Sequence, residues 1–456
     1  MTPATFVEGQ VSVMRTDIGP DGCEQSNANA GEADHLELIR RLLHQYGKVA
    51  ESLFDYHDFG FPREIVRHHI ANVEAEIRRL QASDNGTLGI PDEILQSEIR
   101  DVWNSKKNLR YAAGAIMISS RFHNEVRPED RVRAMRLKIL YEAFVDTIDD
   151  VIDSGGYNFA DALDLMRHCL RFLTAPTFCP RDFREELFAR LSPEHRPLTG
   201  LLTALAAAFR EQFRASPHGR SLVGELDRLQ ENWILGEAYT MYQKDPTLDV
   251  NAFVAAGSQF PCPDKDLNGW ERISGWISHT AAVTLFDLCY ANSMMSPEAF
   301  DAHMNAWFYF DAVVTLLNNV MDLWPDIEGG IANIFLIARG GEEVRGLRQA
   351  RGYRPTLSMK DYEAFLGRTA EFARRNLAYA RTSFEDTDSF YPFLAVMAPI
   401  VMFADETGIR EDMLHAYLRA LAPLMRQELA TRPPPIPTIP LGTHSGRTRS
   451  AHTASS

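Results

Sequence analysis

The chain has 456 residues, of which 45% are hydrophobic and 24% charged, and its formal net charge is −15. That is a globular composition with room for one large domain or two ordinary ones. It argues against nucleic acid as a partner, because phosphates ask for clustered Lys and Arg.

In chain order, residues 1–33 are rich in Gly, Asn, Asp and Ser and read as a disordered arm without the basic and apolar regions of a signal peptide. Residues 34–430 read as one helical domain, with 34–90 as an N-terminal helical extension. Apolar positions recur at three- and four-residue spacing in HLELIRRLLHQYGKVAESLFDY, PREIVRHHIANVEAEIRRLQ and VRAMRLKILYEAFVDTIDDVID. The same period runs through LVGELDRLQENWILGEAYTMY, AFDAHMNAWFYFDAVVTLLNNVMDLW and DYEAFLGRTAEFARRNLAYARTSF. Breaks fall at Asn85-Gly86, Gly155-Gly156, Pro176 to Pro180, Pro261 to Pro263 and Gly340-Gly341. Residues 431–456, proline-rich and then Ser/Thr-rich, read as a disordered tail. No alternating pattern asks for a sheet, so the expected fold is all-α: a single helical bundle around a central cavity. The scattered cysteines Cys23, Cys169, Cys179, Cys262 and Cys289 suggest a reduced, cytoplasmic protein. No stretch approaches the roughly 18–20 apolar residues needed to span a bilayer.

Two polar clusters interrupt this apolar pattern. Asp146, Asp149 and Asp153 share one helix face, with Asp150 about 100° round, set among Leu140, Phe144, Val145, Ile148, Val151 and Ile152. Like charges at that spacing, at a helix C-terminus, destabilise the helix unless something offsets them. Hard divalent cations with oxygen ligands would do so. The bland alternative is a solvated helix end. The second cluster, Asn318, Asp322 and Asp326, recurs every four residues at the end of a very apolar helix, so three oxygens can converge on one cation. Pro325 removes a backbone donor and should bend that helix near Asp326.

Taken together, the clusters resemble those of the class I terpene synthases, over about residues 90 to 425. Asp149-Asp150-Val-Ile-Asp153 matches the family's DDxxD motif. Asn318-Asn319-Val-Met-Asp322-Leu-Trp-Pro-Asp326 is similar to its (N/D)DxxSxxxE motif, with Asn for the second Asp, Asp for Ser and Asp for Glu. Arg272 lies 46 residues before Asn318, near the position of the family's diphosphate-sensing arginine, and precedes a small-residue break at Ser274-Gly275. Gly329, Gly330 and Asn333 resemble the glycine and asparagine that follow the second motif. The segment ending at Arg410 resembles the terminal arginine–tyrosine segment without its tyrosine. The stretch from Thr177 to Arg196 is an expected insertion.

The resemblance implies three Mg²⁺ ions on Asp149, Asp153, Asn318, Asp322 and Asp326, with Asp150 also in the catalytic motif and Arg272 and Arg410 on the diphosphate. It implies a prenyl diphosphate substrate, farnesyl favoured and geranylgeranyl allowed, ionised and cyclised with release of pyrophosphate. A homodimer is left open. Carbocation chemistry needs a dry pocket with aromatic walls. Phe144, Trp276, Trp307, Phe308 and Phe310 are candidates, plain core packing being the alternative for each. The histidines show no metal-ligand spacing and read as structural or surface. A prenyl chain-elongating or head-to-head condensing synthase of the same fold remains an alternative, as does a non-catalytic helical scaffold. No DxDD motif points to a protonating cyclase.

Overall fold

The computed structural model describes residues 35–56, 64–84, 126–245, 247, 249–291, 296–349, 353–382, 404–405, 408–409 and 411–431. Within these the chain is helical almost throughout, as the periodicity predicts. Two helices open it, α1 (His35–Tyr56) and α2 (Glu64–Asp84). Ile39, Leu43, Gly47 and Ala50 are buried on α1, and Val73, Ile77 and Leu80 on α2, at three- to four-residue steps, and the two helices pack together through these stripes.

The central helices follow as α3 (Arg131–Ser154), α4 (Phe159–Thr174), α5 (Pro180–Arg190), α6 (Thr199–Ala215) and α7 (Gly219–Lys244). Next come α8 (Val250–Gly257), α9 (Gly269–Ser274), α10 (Thr280–Leu288) and α11 (Pro297–Met321). The last are α12 (Leu323–Gly329), α13 (Ile334–Arg339), α14 (Gly341–Gln349), α15 (Met359–Arg381) and α16 (Glu411–Ala430). Before α16, Ala404–Asp405 and Gly408–Ile409 pair as a two-residue antiparallel hairpin, which periodicity did not anticipate. The expected insertion is largely a helix of its own: α5 packs on α4 and α6, with Phe183 buried and its ring stacked on His168.

The core runs between α3, α6, α7 and α10 on one side and α11, α15 and α16 on the other. Tyr141 and Phe286 meet edge to face at 4.9 Å, and Phe209 closes on Phe286 at 5.2 Å. Each such side chain removed from water contributes about 1.5–3 kcal/mol. Beside this cluster the fully buried Lys138 of α3 is ion-paired with Asp287 of α10, which fixes the two helices against each other. A charge buried so deeply is tolerable only with its partner present.

Among the described residues no helix is long and apolar enough to cross a membrane. Cys169, Cys179, Cys262 and Cys289 are free thiols. Residues 1–33, Arg410 and the tail beyond Thr431 lie outside the described residues.

Candidate active site

The first acidic cluster ends α3. Asp146 is buried, Asp149 and Asp150 are half-buried, and Asp153 is exposed. Asp153 accepts a 2.7 Å hydrogen bond from Lys244 Nζ, the last residue of α7. One turn and more back along α7 stands Glu237, a buried carboxylate that the sequence reading passed over. Burial and then the charges of Asp149 and Asp153 push its pKa well above the ordinary glutamate range; a Thr240 hydrogen bond and Lys244 offset this only partly. A signal was present: Glu237 sits in the apolar run Trp233-Ile-Leu-Gly-Glu-Ala, where an acid has no cheap reason to be.

The second cluster is bent. The bend forms where Pro325 dictates, at Asp322, four residues before Asp326. Pro325 cannot donate to the carbonyl of Met321, so α11 stops at Met321 and Asp322 takes φ −87° and ψ 0°. A new short helix, α12, then carries Pro325 in its first turn, where the missing donor costs least. Asn318 and Asp322 stay together, the Asn318 amide donating to Asp322 at 2.7 Å.

Asp326 is held from the far side. Gly330 ends α12 at φ +74°, in the left-handed region glycine favours, and the chain turns back so that Ile331 N donates to Asp326 O at 2.7 Å. Asn333, fully buried, donates from its amide to Asp326 Oδ2 at 2.6 Å and to Asn319 O at 2.9 Å, while its own oxygen caps α13 at Phe335 N. Gln243 binds the same loop from α7: its amide donates to Ala332 O, and its backbone oxygen accepts from Ala332 N, both at 2.8 Å. These contacts give the Gly-Gly-x-x-Asn pattern a physical job. It fastens the second cluster to the end of α7, beside Lys244.

The two clusters therefore share one electrostatic site. Asp326 is pushed up to about 6, first by burial and further by Asp322 and Asp153, against the Asn333 hydrogen bond and Lys244. Asp153 belongs to the first cluster and Asp322 to the second, separated by 169 positions of sequence. Every donor in the set is oxygen: Asp149, Asp153, Asn318, Asp322, Asp326 and Glu237. Burial raises both carboxylates first and the neighbouring acids add to it, while Lys244 offsets this only partly. That chemistry fits a hard divalent cation. Among the described residues, no group of three or more His, Cys, Asp or Glu side chains is gathered tightly enough to hold an ion as it stands. Asp153, Asp322 and Asp326 are instead engaged by Lys244, Asn318 and Asn333.

Arg272 has a different occupation from the one the resemblance implies. Its guanidinium donates to three backbone carbonyls: Leu267 at 2.9 Å, Ser258 at 2.7 Å and Lys265 at 3.2 Å. It staples the 258–267 loop to α9 rather than presenting its fork to the acids. The break itself lies where Ser274-Gly275 predicts: α9 ends at Ser274 and α10 starts at Thr280. A Cβ at Gly275 would stand 2.3 Å from the Phe308 ring, and one at Gly236 of α7 would stand 2.3 Å from Trp276 O. Both glycines are therefore required by close packing around the break.

The candidate aromatic residues are buried, except Phe310, which is half-buried. Trp276 and Phe308 meet at 5.5 Å, and Trp307 and Phe310 at 5.1 Å. A cavity of ≈ 440 Å³ lies away from them, lined by Arg40, Arg41, His44, Gln45, Lys48 and Glu74 on α1 and α2. None of its lining residues belongs to either acidic cluster. No protein-family model matches the chain, and no curated protein matches it.

Proposed function

We infer that the chain is a class I terpene cyclase, which ionises a linear prenyl diphosphate and closes the resulting carbocation into a ring. The observation that carries this reading is the shared field of the two clusters: Asp153 and Asp322 both raise Asp326, while Asp149 and Asp153 both raise Glu237. Two oxygen-rich helix ends facing each other suit a polyanionic leaving group bridged by cations. Bound Mg²⁺ would neutralise the charge that develops on the diphosphate as the carbon–oxygen bond breaks. Asp149 and Asp153 would hold it from α3, and Asn318, Asp322 and Asp326 from α11 and α12.

With Arg272 committed to the 258–267 loop, Lys244 is the cation best placed to meet the diphosphate. It pairs with Asp153 of the first cluster, and its charge acts on Asp326 of the second. The buried aromatic residues Trp276, Trp307 and Phe308 exclude water and offer π faces to a cation formed beside them. Farnesyl diphosphate is the favoured substrate, with geranylgeranyl diphosphate next.

The test is to incubate the protein with Mg²⁺ and C10, C15 or C20 prenyl diphosphates, measuring pyrophosphate and extractable hydrocarbon. Asp149→Ala and Asn318→Ala are expected to abolish both while melting at nearly the wild-type temperature. Near-wild-type product formation by either variant removes the proposed site, and no pyrophosphate from any substrate removes the reaction.

A further inference from the structure

Between the acidic clusters and the aromatic core, the unwound segment between α9 and α10 holds a second group of ionisable residues. His279, the residue before α10, bonds through Nε2 to Glu142 Oε2 of α3 at 2.5 Å. Asp311 of α11, wholly buried, accepts from Ala281 N at 3.3 Å through one oxygen, and its other oxygen has no hydrogen-bond partner among the described residues. The groups that face His279 are Glu142 and Asp149 from α3, Asp311 from α11, and the rings of Tyr141 at 6.2 Å and Trp233 at 5.7 Å. The imidazole keeps 16% of its side-chain surface open, and Nδ1 makes no hydrogen bond among the described residues.

Packing alone does not account for this arrangement. An apolar core that needed only filling would not place two carboxylates and an imidazole at a helix break. A carboxylate behind one ring nitrogen fixes the tautomer and leaves the other nitrogen as a proton acceptor, as in any imidazole oriented for general-base work. We propose that His279 is the general base that ends the cyclisation, its Nδ1 taking a proton from the carbon next to the final cationic centre. The proposal rests on the cyclase reading above.

The step balances without another reactant. The C–H bond breaks, its electron pair becomes the new carbon–carbon π bond, and the positive charge leaves the substrate as imidazolium. Glu142 stabilises that imidazolium through Nε2–H. The proton passes to solvent once the hydrocarbon has left. Burial disfavours charge on His279, but Glu142, then Asp311 and Asp149, outweigh it and raise its pKa, so the imidazolium formed in the step is stabilised and the neutral imidazole is the form that acts.

His279→Gln and Glu142→Gln test this in the full-length protein with Mg²⁺ and farnesyl diphosphate. The readouts are pyrophosphate release and the yield of each terpene per pyrophosphate released. His279→Gln is expected to lower the main hydrocarbon per pyrophosphate at least tenfold, with alcohols from water capture or isomeric alkenes in its place. Glu142→Gln is expected to shift products in the same direction by a smaller factor. It keeps the side chain's size and carries the test if His279→Gln does not fold. An unchanged product pattern in folded variants overturns the assignment. So does a loss of product strictly proportional to the loss of pyrophosphate, which would mean a role in ionisation or folding. If wild type releases no pyrophosphate from C10, C15 or C20 substrates, the cyclase reading fails instead.

Discussion

Asp326→Asn should stabilise the metal-free protein above pH 6 and weaken its response to Mg²⁺. Asp326 carries its proton to about pH 6 in the fold, against 3.8 for an ordinary aspartate. A native pKa above the unfolded one means that the native state binds more protons between those values, so stability falls as pH rises through that window. Above pH 6 the ionised side chain costs the fold its full penalty, and below about pH 4 it costs nothing. Two pH units convert to about 3 kcal/mol, and discounting for the solvent-exposed part of the carboxylate leaves about 1–2 kcal/mol. Asparagine removes the charge and keeps an oxygen for the Asn333 amide, now 2.6 Å from Asp326 Oδ2. The assay is thermal melting of both proteins at pH 8 and pH 4.5, without divalent cation and then with Mg²⁺. The variant should melt a few degrees higher than wild type at pH 8 without metal, with most of that gap gone at pH 4.5. Wild type should gain more than the variant from Mg²⁺, since a ligand that binds only the native state stabilises it by mass action. A variant that melts lower than wild type at pH 8, or gains equally from Mg²⁺, would refute the reasoning.

Three further outcomes are expected. Arg272→Ala should lower stability by about 1–3 kcal/mol through three lost hydrogen bonds from a charged donor; Lys, with one nitrogen, should restore only part, as chemical denaturation can measure. A large loss of pyrophosphate release by folded Arg272→Ala, without loss of stability, would return the arginine to the diphosphate. Asp287→Ala leaves Lys138 buried without its ion-pair partner and should cost about 3–5 kcal/mol, with expression or melting as the readout. Lys244→Met keeps the aliphatic stem but removes the charge between the clusters, and should raise the KM for the prenyl diphosphate tenfold or more.

Helix content was legible because apolar residues recur with the helical period over long stretches, and the stripes on α1 and α2 are buried as that period requires. The break at Ser274-Gly275 and the bend caused by Pro325 were also legible, because both follow from backbone chemistry local to the chain. What the sequence could not show was long-range: which acid faces which. The meeting of Asp153 with Lys244 and Asp326 depends on the packing of α3 and α7 and on the loop tied down by Gln243. The loop that Arg272 binds was hidden for the same reason. The arginine's offset from Asn318 is a distance along the chain, whereas its partners are the carbonyls of a loop beginning 14 residues before it. His279 was read as structural or surface because one histidine has no spacing to read; Glu142, its partner, lies 137 positions away.

The arrangement also explains why the chain's acidity is not a contradiction in a protein proposed to bind a polyanion. A net charge of −15 would repel a diphosphate if it were spread evenly over the site. Here the carboxylates are concentrated at two helix ends and are only partly compensated: Lys244 pairs with Asp153, and Asn318 and Asn333 supply neutral donors to Asp322 and Asp326. Such a cluster would attract divalent cations first, and bound cations would then reverse the sign of the field that an incoming diphosphate meets. On this argument the order of binding is not free. Substrate affinity should depend steeply on Mg²⁺, while Mg²⁺ alone should already raise the melting temperature, because the acids it neutralises are the same ones that burden the metal-free fold.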